Sequence, residues 1–445
     1  MRVTNDLVKW VINTKYEDIS KNVIYEAKRS LFNWLGVAIG ACYHPSVEMV
    51  LSLADEVGGR EQASILGRKE KLNVLFASLI NGMTSHIFDF DDTNIEIVLH
   101  PSSPVAPVVF ALGELYNLKG EDILTAFILG VEAETRISQA VYPDHYNVGW
   151  HITATAGNFG AAVAAGKILG LDEKKFCYAM GIAATQASGL REMFGTMTKA
   201  FHPGKSAMNG VMAAMLAEKG FTSSLQGIEA KMGFANVLST KQDYFRITDK
   251  LGENWELLQN AYKPFACGTV AHPTIDGVLR IKSKYDTLNI QNIVEIKSHV
   301  NKLVPILMGK KEPKIGLESK FSIYHCAAVA LLDGMAGERQ FSDDRVLQED
   351  VISLRNKVKL LVKENIREDE AFIEVTLNDG TILKEHINHA IGSINNPMND
   401  EDLQKKFAEV TNSILTEEEI NNITNLIYNL EKVQTIKKII DECTG

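Results

Sequence analysis

Residues 86–101 concentrate ionisable side chains between two apolar, helix-like stretches. Asp89, Asp91 and Asp92 fall within four positions of one another, and a histidine stands on either side of them. Carboxylates that close together need nearby cations, a metal ion or a raised pKa on at least one of them. Each of those outcomes describes a functional site. The simpler alternative is a solvated acidic loop whose aspartates cap the next helix.

Two further blocks combine histidine with small residues. In residues 149–157, His151 precedes a glycine- and alanine-rich helix, and a carboxylate ligand would suit that helix end. In residues 195–205, Lys199 and His202 lie in a predicted turn before another alanine-rich helix, which is typical of an anion-binding loop. The spacing is not that of a Walker phosphate loop and no strand precedes it, so nucleotide binding is excluded.

A fourth block, residues 263–274, lies where the hydrophobic pattern of the sequence changes from helical spacing to alternation. A junction between domains is a favoured place for a cleft. His272 is the candidate for chemistry in this block. Cys267 has no recognisable partner for a Cys–His dyad, so we predict that it is structural.

The hydrophobic pattern of the segments that must position these blocks differs between two parts of the chain. From Leu7 to about Tyr262, apolar residues recur at three- and four-residue spacing among many alanines, which predicts a helical bundle. After Pro273, apolar and polar residues alternate, and Asn-Asp-Gly at 378–380 is a β-hairpin turn signal. The predicted strands are 293–300, 358–363, 371–377 and 381–386, and helices are predicted at 322–332 and 344–356.

The sequence therefore predicts a mainly α fold with a large all-helical domain and a smaller α+β lid domain. We assign residues 1–269 and 393–445 to the helical domain and residues 270–392 to the lid. The final segment returns to helix signals, among them Thr416 followed by three glutamates, and should pack back on the helical domain.

Composition excludes several classes of protein. The 445 residues are 45% hydrophobic and 23% charged, which suits a globular chain with a sizeable core. A net charge of -10 argues against a nucleic-acid or anionic-membrane partner, because both favour basic patches. Five scattered cysteines indicate neither a disulfide framework nor a zinc site. With no export signal and no membrane-spanning stretch in the sequence, we expect a cytoplasmic protein.

Taken together, the ordered blocks resemble the MmgE/PrpD family. The resemblance rests on residues 81–101, 149–151, 195–204, 263–273 and 320–334, and it covers nearly the whole chain. It implies a large helical domain, a smaller α/β lid and a homodimer. It also implies that a pocket for a small di- or tricarboxylate lies in the cleft between the two domains.

Carried over position by position, the resemblance implies eight site residues and neither a metal nor a cofactor. His100 or His151 would move a proton at carbon, and Lys199 and His272 would neutralise the charge that develops on the neighbouring carboxylate. Lys199 and protonated histidines would also stabilise the bound substrate carboxylates. Asp91 and Asp92 are expected to cap the turn or hold the loop. Asp89 would orient a histidine. The expected catalytic residues are Asp89, His100, His151, Lys199 and His272. The expected substrate-binding residues are Thr93, His202 and Lys263.

The implied function is that of a lyase which dehydrates 2-methylcitrate, as in propionate catabolism, or a similar hydroxy-polycarboxylate. Epimerisation of an iminodisuccinate-like dicarboxylate and decarboxylation of cis-aconitate use the same residues, so the motifs do not separate the three. A ligand-binding homodimer without catalysis is a further alternative. The acidic block alone would also fit a metal-dependent hydrolase that uses His86, Asp89, Asp91 and Asp92.

Overall fold

The computed structural model describes residues 2–285 and 288–444 and divides them into two compact units. The first unit runs to Ile87, resumes from Asp91 to Asn260, and resumes again from Asp400. The second unit comprises Phe88–Phe90 and Ala261–Asn399. The chain therefore leaves the first unit for three residues in the middle of the acidic block.

The first unit is built almost entirely from helices. Its one small hairpin, β1 Ala63–Ser64 with β2 Lys71–Leu72, was not predicted. The helices before residue 260 are α1 Val3–Asn13, α2 Lys21–Gly40, α3 Pro45–Val57, α4 Val74–Ile87, α5 Ser102–Tyr116, α6 Gly120–Val141, α7 Asp144–Asn147, α8 Ile152–Ile168, α9 Glu173–Gln186, α10 Met197–Glu218, α11 Phe234–Leu238 and α12 Phe245–Thr248.

Close helix packing in the centre of this unit depends on small residues. Helix α10 packs against α4 and α8, and α8 also packs against α5 and α6. A Cβ atom on Gly204 of α10 would lie 2.1 Å from the backbone oxygen of Leu79 in α4, and one on Gly210 would lie 2.3 Å from Cβ of Ala161 in α8. Glycine at these two positions lets the backbones approach closely enough to exclude water from the core.

The second unit is a four-stranded sheet with helices packed against it. Strand order is β4-β3-β5-β6, with β3 parallel to β4 and the other pairs antiparallel. The predicted hairpin is confirmed, because β5 pairs with β6 across the Asn-Asp-Gly turn. Its elements are α13 His272–Lys284, β3 Ile293–Val300, α14 Leu303–Leu307, α15 Gly316–Ser319, α16 Ile323–Asp333, α17 Asp343–Val346, α18 Glu349–Arg355, β4 Val358–Val362, β5 Ala371–Leu377 and β6 Ile382–Ile387.

Three helices after the second unit belong to the first. They are α19 Asp400–Thr411, α20 Glu417–Tyr428 and α21 Lys437–Thr444. Phe407 of α19 stacks on Phe32 of α2 with ring centroids 4.5 Å apart, so the predicted return to the helical part is confirmed. Thr416 caps α20 through a capping box with Glu419, as its sequence indicates.

The mainly α class is confirmed, and two local predictions are wrong. Residues 344–356 form two short helices, α17 and α18, rather than one. The predicted turn at 195–205 largely belongs to α10, which begins at Met197 and contains Pro203. Proline and glycine usually interrupt helices, but here the helix continues through both residues, and Gly204 packs closely against α4. Among the described helices, no single one is both long and apolar enough to cross a membrane, although α2 and α3 pass that test as a bent pair.

The close contact between α10 and α4 predicts a large effect of one methyl group. Gly204→Ala should lower the free energy of unfolding by about 2–3 kcal/mol, because its Cβ would overlap the Leu79 carbonyl and force the two helices apart. Urea denaturation followed by circular dichroism measures this change. Ser52→Ala, on the exposed side of α3, is the control and should stay within about 0.5 kcal/mol of wild type. Equal stability of the two variants would contradict the packing argument.

Candidate active site

The acidic block is buried, not solvated. It lies between the end of α4 and the start of α5, and the side chains of Asp91 and Asp92 are fully inaccessible to water. The first two residues of α5 bond to them: Ser103 Oγ donates to Asp91 Oδ2 at 2.7 Å, and Ser102 Oγ donates to Asp92. The alternative of a solvated acidic loop is therefore wrong. The expectation that Asp92 holds the loop by hydrogen bonds is confirmed.

Asp91 does more than hold the loop, because it joins two histidines. Its Oδ2 lies 2.7 Å from Nδ1 of His86, the penultimate residue of α4, and its Oδ1 lies 3.3 Å from Nδ1 of His100. Nδ1 of His100 also lies 3.1 Å from the carbonyl oxygen of Asp92 and 3.2 Å from Thr93 Oγ1. A carbonyl only accepts, so Nδ1 of His100 carries the hydrogen and donates it to this loop.

The network keeps Asp91 ionised and His86 neutral. Burial raises the pKa of Asp91, but the charges and hydrogen bonds of His100 and His86 outweigh burial and hold this pKa well below its usual range. Burial lowers the pKa of His86 to about 3, against the opposing effect of Asp91. At neutral pH, His86 therefore donates Nδ1–H to the Asp91 carboxylate. Its buried Nε2 has no hydrogen-bond partner among the described residues.

Asp92 has the opposite character although it is the next residue. Burial raises its pKa to about 7, and hydrogen bonds from Ser102 and Asn260 only partly offset that effect. Nδ2 of Asn260 donates to Asp92 Oδ2 at 2.6 Å, whereas Oδ1 has no hydrogen-bond partner among the described residues. The neighbouring carboxyl of Glu134 is also fully buried, and burial raises its pKa well above the usual range. Asp92 and Glu134 are thus two neighbouring buried carboxyl groups whose raised pKa values favour the protonated form.

A second pair of imidazoles completes the polar centre of the first unit. His151 precedes α8 as its N-cap residue, as predicted, and its Nδ1 lies 2.9 Å from Nδ1 of His202 in α10. The His86 ring lies between the rings of His100 and His151, with centroid distances of 4.7 Å and 5.9 Å. His100 is also tied to α8, because its backbone N–H donates to Thr153 Oγ1 at 3.1 Å.

These imidazoles are not the protonated histidines that the sequence led us to expect. Burial lowers the pKa of His202 to about 4 and lowers that of His151 well below its usual value, and neighbouring charges, including that of Lys199, act in the same direction. Lys199 lies in the first turn of α10, 8% exposed, with Nζ 5.6 Å from the centre of the Phe194 ring. In the first unit, Lys199 is the expected site residue that supplies positive charge at neutral pH.

The remaining predicted residues, Asp89, Lys263 and His272, belong to the second unit. Lys263 Nζ donates to Oδ1 of Asp89 at 2.8 Å and to its backbone oxygen at 2.9 Å, and both side chains are buried. The Asp89 carboxylate thus contacts a lysine. In the first unit it is Asp91 that contacts the histidines, and the expected role of Asp89 in orienting a histidine stays a prediction. Likewise, Lys263 binds Asp89 in this structure, and its contact with substrate stays a prediction.

Lys263 and Lys320, which are both buried, hold the segment Phe88–Phe90 in the second unit. Lys320 Nζ donates to the Phe88 carbonyl at 2.7 Å and to the Ala266 carbonyl at 3.0 Å, and it also pairs with Glu338. Asp89 has a φ of 52°, in the left-handed region. Aspartate tolerates that region better than most residues do, and strained backbone is common at functional sites.

Cys267 has partners that the sequence did not reveal. His272 lies beside Cys267, with its Nε2 3.3 Å from the Cys267 carbonyl oxygen. Burial raises the pKa of the Cys267 thiol, but the influence of Cys326 and His272 outweighs burial and lowers this pKa below the usual range. The prediction that Cys267 is structural stays a prediction. His272 is the first residue of α13, and its ring packs edge-on against Phe265 at 5.3 Å.

One group of side chains has metal-ligand spacing. His86, Asp91 and His100 each offer a ligand atom within 4.8 Å of the others. Two imidazoles and a carboxylate are ligands that several divalent metals accept. In the structure, however, the same atoms bond to one another, so an ion would have to replace the hydrogen bond between His86 and Asp91. Metal analysis of the purified protein, together with an activity assay, tests whether an ion does so.

Residue-by-residue transfer from the family missed three residues that support the site. His86 and Asp91 were visible in the acidic block, but their neighbours Asp89 and His100 were selected instead. Lys320 stood in the last block that carries the resemblance, without a role. No local signal distinguishes them, because Asp91 stands among other aspartates and Lys320 lies in a polar stretch after Glu318 and Ser319.

The pKa values of the adjacent residues Asp91 and Asp92 are shifted in opposite directions, which gives a matched pair of variants. Asp91→Asn should lower turnover by about 100-fold or more, because an amide N–H would face Nδ1–H of His100 and displace the ring. Asp92→Asn should stay within about threefold of wild type, since an amide reproduces the shape and donor of a protonated carboxyl. Steady-state kinetics of both variants test this, and equal losses would contradict the separate roles.

The raised pKa of Asp92 also predicts a pH-dependent difference in stability. The folded protein binds this proton up to a pH of about 7, whereas the unfolded chain releases it at a pH of about 4. Wild type should therefore lose stability relative to Asp92→Asn as the pH rises from 4 to 7, by up to about 4 kcal/mol. Urea denaturation of the two proteins at several pH values measures the difference, and parallel curves would argue against a protonated Asp92.

Both units of the chain match models of known protein families. Residues 5–246 match the family model of the MmgE/PrpD N-terminal domain, and residues 265–432 match that of the MmgE/PrpD C-terminal domain. The chain is 26% identical to a cis-aconitate decarboxylase of Aspergillus terreus, over 99% of this chain and 95% of that protein. It is 25% identical to the human cis-aconitate decarboxylase, over 97% of this chain and 92% of that protein. The chain therefore belongs to the MmgE/PrpD family.

Proposed function

We propose that this chain is a lyase that transfers a proton at a carbon next to a carboxylate of a small tricarboxylate. The observation that carries the proposal is the group of buried, neutral imidazoles beside the Lys199 ammonium in the first unit. A neutral imidazole can take up or pass on a proton, and a lysine can bind a carboxylate. Decarboxylation of cis-aconitate is the first reaction that we propose, and the names of the relatives support it.

In this mechanism Lys199 binds a carboxylate of cis-aconitate and stabilises the charge that develops on it. The bond between the methylene carbon and its carboxylate breaks and releases carbon dioxide. The electron pair forms a new double bond, and the electrons of the original double bond move to the carbon at its far end, next to a carboxylate. His100 or His151 then protonates that carbon. The product is itaconate.

Dehydration of 2-methylcitrate is the second candidate, and one observation favours it. Loss of water needs a base at carbon and an acid at the departing hydroxyl, whereas decarboxylation needs one proton donor. The first unit has two imidazoles with different partners: His100 contacts Asp91, and His151 contacts His202. This arrangement would supply the two groups. The homodimer and the cytoplasmic setting stay predictions.

An NMR assay in deuterated water separates the reactions. The wild-type protein is offered cis-aconitate, 2-methylcitrate and iminodisuccinate separately. We expect cis-aconitate to yield itaconate with one deuterium on the saturated methylene carbon. Loss of water from 2-methylcitrate alone would support dehydration instead, and exchange into iminodisuccinate without bond loss would support epimerisation. If none of the three reacts, the proposed substrate class is wrong. Metal content and activity after chelation are measured on the same sample, and a stoichiometric metal whose removal abolishes activity would favour the metal-dependent alternative.

The role of Lys199 is tested on the substrate that the assay identifies. Lys199→Met should lower kcat/KM by about 100-fold or more, because it removes the charge that stabilises the developing carbanion. Lys219→Met is the matched control, since Lys219 is exposed at the other end of α10. Near-normal activity of Lys199→Met would remove this residue from the mechanism.

A further inference from the structure

The contact between His151 and His202 joins two like atoms. Nδ1 of one ring lies 2.9 Å from Nδ1 of the other, and both rings are at least 96% buried, with exposures of 2% and 4%. A hydrogen bond between two ring nitrogens needs one hydrogen and one lone pair. The two neutral rings must therefore have different tautomers. Whichever ring carries hydrogen on Nδ1 has a bare Nε2, and its partner carries hydrogen on Nε2.

His202 also leads from the buried centre toward the surface. A Cβ atom on Gly189 would lie 3.4 Å from Nε2 of His202, so this nitrogen lies against the segment of residues 187–190. Ser188 and Leu190 in that segment are exposed. The same segment is bonded to the backbone of His151, because the backbone N–H of His151 donates to the Gly189 carbonyl at 3.0 Å. The two rings thus form a short path from His151 to an exposed loop.

The proposed reaction needs such a path while the substrate or product blocks Nε2 of His151. Each decarboxylation consumes one proton, and a buried imidazole that has given its proton to carbon must be reprotonated from water. We propose that His202 is the second ring of a two-histidine proton relay, which connects Nε2 of His151 with solvent at residues 187–190. This assignment rests on the proposed function and gives His202 a different role from the substrate contact expected from the sequence. His202 is here a positioning and proton-transfer residue behind His151, which would contact the substrate.

The proton transfers balance over one turnover. As Nε2–H of His151 protonates the substrate carbon, Nδ1–H of His202 passes to Nδ1 of His151 in the same concerted transfer, and water donates a proton to Nε2 of His202. Neither ring becomes an anion, and His151 is left with a bare Nε2. The net result is one proton from solvent and both rings neutral with exchanged tautomers. When the product has left, water reaches His151 Nε2, and the same transfers in reverse restore the starting tautomers.

The charges around the relay keep any imidazolium short-lived. Lys199 and Lys205 act on His202, and Lys199, His86 and His100 act on His151. A proton that arrives on one ring is therefore driven onward, which suits transfer better than storage.

A variant that keeps the hydrogen bond and removes the second nitrogen tests the relay. In His202→Asn the amide N–H can still donate to Nδ1 of His151, but it cannot pass a proton on. We expect kcat at low buffer concentration to fall at least tenfold with KM within threefold of wild type. Added imidazole buffer should restore kcat in a saturable manner, whereas wild type should not depend on buffer. His145→Asn is the control, because His145 is buried nearby, donates to the Leu238 carbonyl, and lies outside the relay.

Two outcomes would overturn the relay. If His202→Asn keeps the kcat of wild type at low buffer concentration, no proton passes through His202. If it loses activity that no buffer restores, His202 only positions His151. A third measurement does not depend on the reaction: NMR of wild-type protein with ¹⁵N-labelled histidine should show one protonated and one bare Nδ1 joined by a hydrogen bond. Absence of that pair would overturn the relay even if the lyase activity is confirmed, and its presence in an inactive protein would indicate that the substrate proposal had failed instead.

Discussion

The polar centre of the first unit depends on one buried charge. Asp91 has no access to water, and an isolated carboxylate in that position would be very costly. Two imidazoles and the Ser103 hydroxyl surround it, so the carboxylate stays ionised and each donor is held in place. Those donors come from α4, from the loop and from α5, and the position of all three elements is therefore tied to the charge of one residue.

The same charge determines which nitrogen of each ring is available for chemistry. His86 and His100 both present Nδ1 to the acidic loop, which leaves Nε2 of each ring for other contacts. His151 and His202 instead contact each other through their Nδ1 atoms. The first unit thus holds two pairs of histidines with different electrostatic support. This difference is what a reaction with separate proton donors and acceptors requires.

In the second unit, lysines have the corresponding role. Lys263 and Lys320 hold the segment Phe88–Phe90 through its carbonyl groups and through the Asp89 side chain. Buried ion pairs add little net stability, but they fix the geometry of the groups that they join. Because Asp89 and Asp91 lie on either side of a boundary between units, two neighbouring carboxylates receive their counter-charges from different parts of the fold.

The sequence by itself determined the mainly α class, the β-hairpin, the N-cap position of His151 and the family, because periodicity, turn residues and ordered motifs are local properties. It did not determine which aspartate contacts the histidines, since Asp89 and Asp91 are chemically alike and only packing assigns one to Lys263 and the other to His86. It also missed the helix through Pro203 and the neutral state of His151. Gly204 packs against α4, which is distant in the chain, and the protonation state of His151 depends on burial among residues that are also distant in the chain. Such effects exist only once the chain has folded.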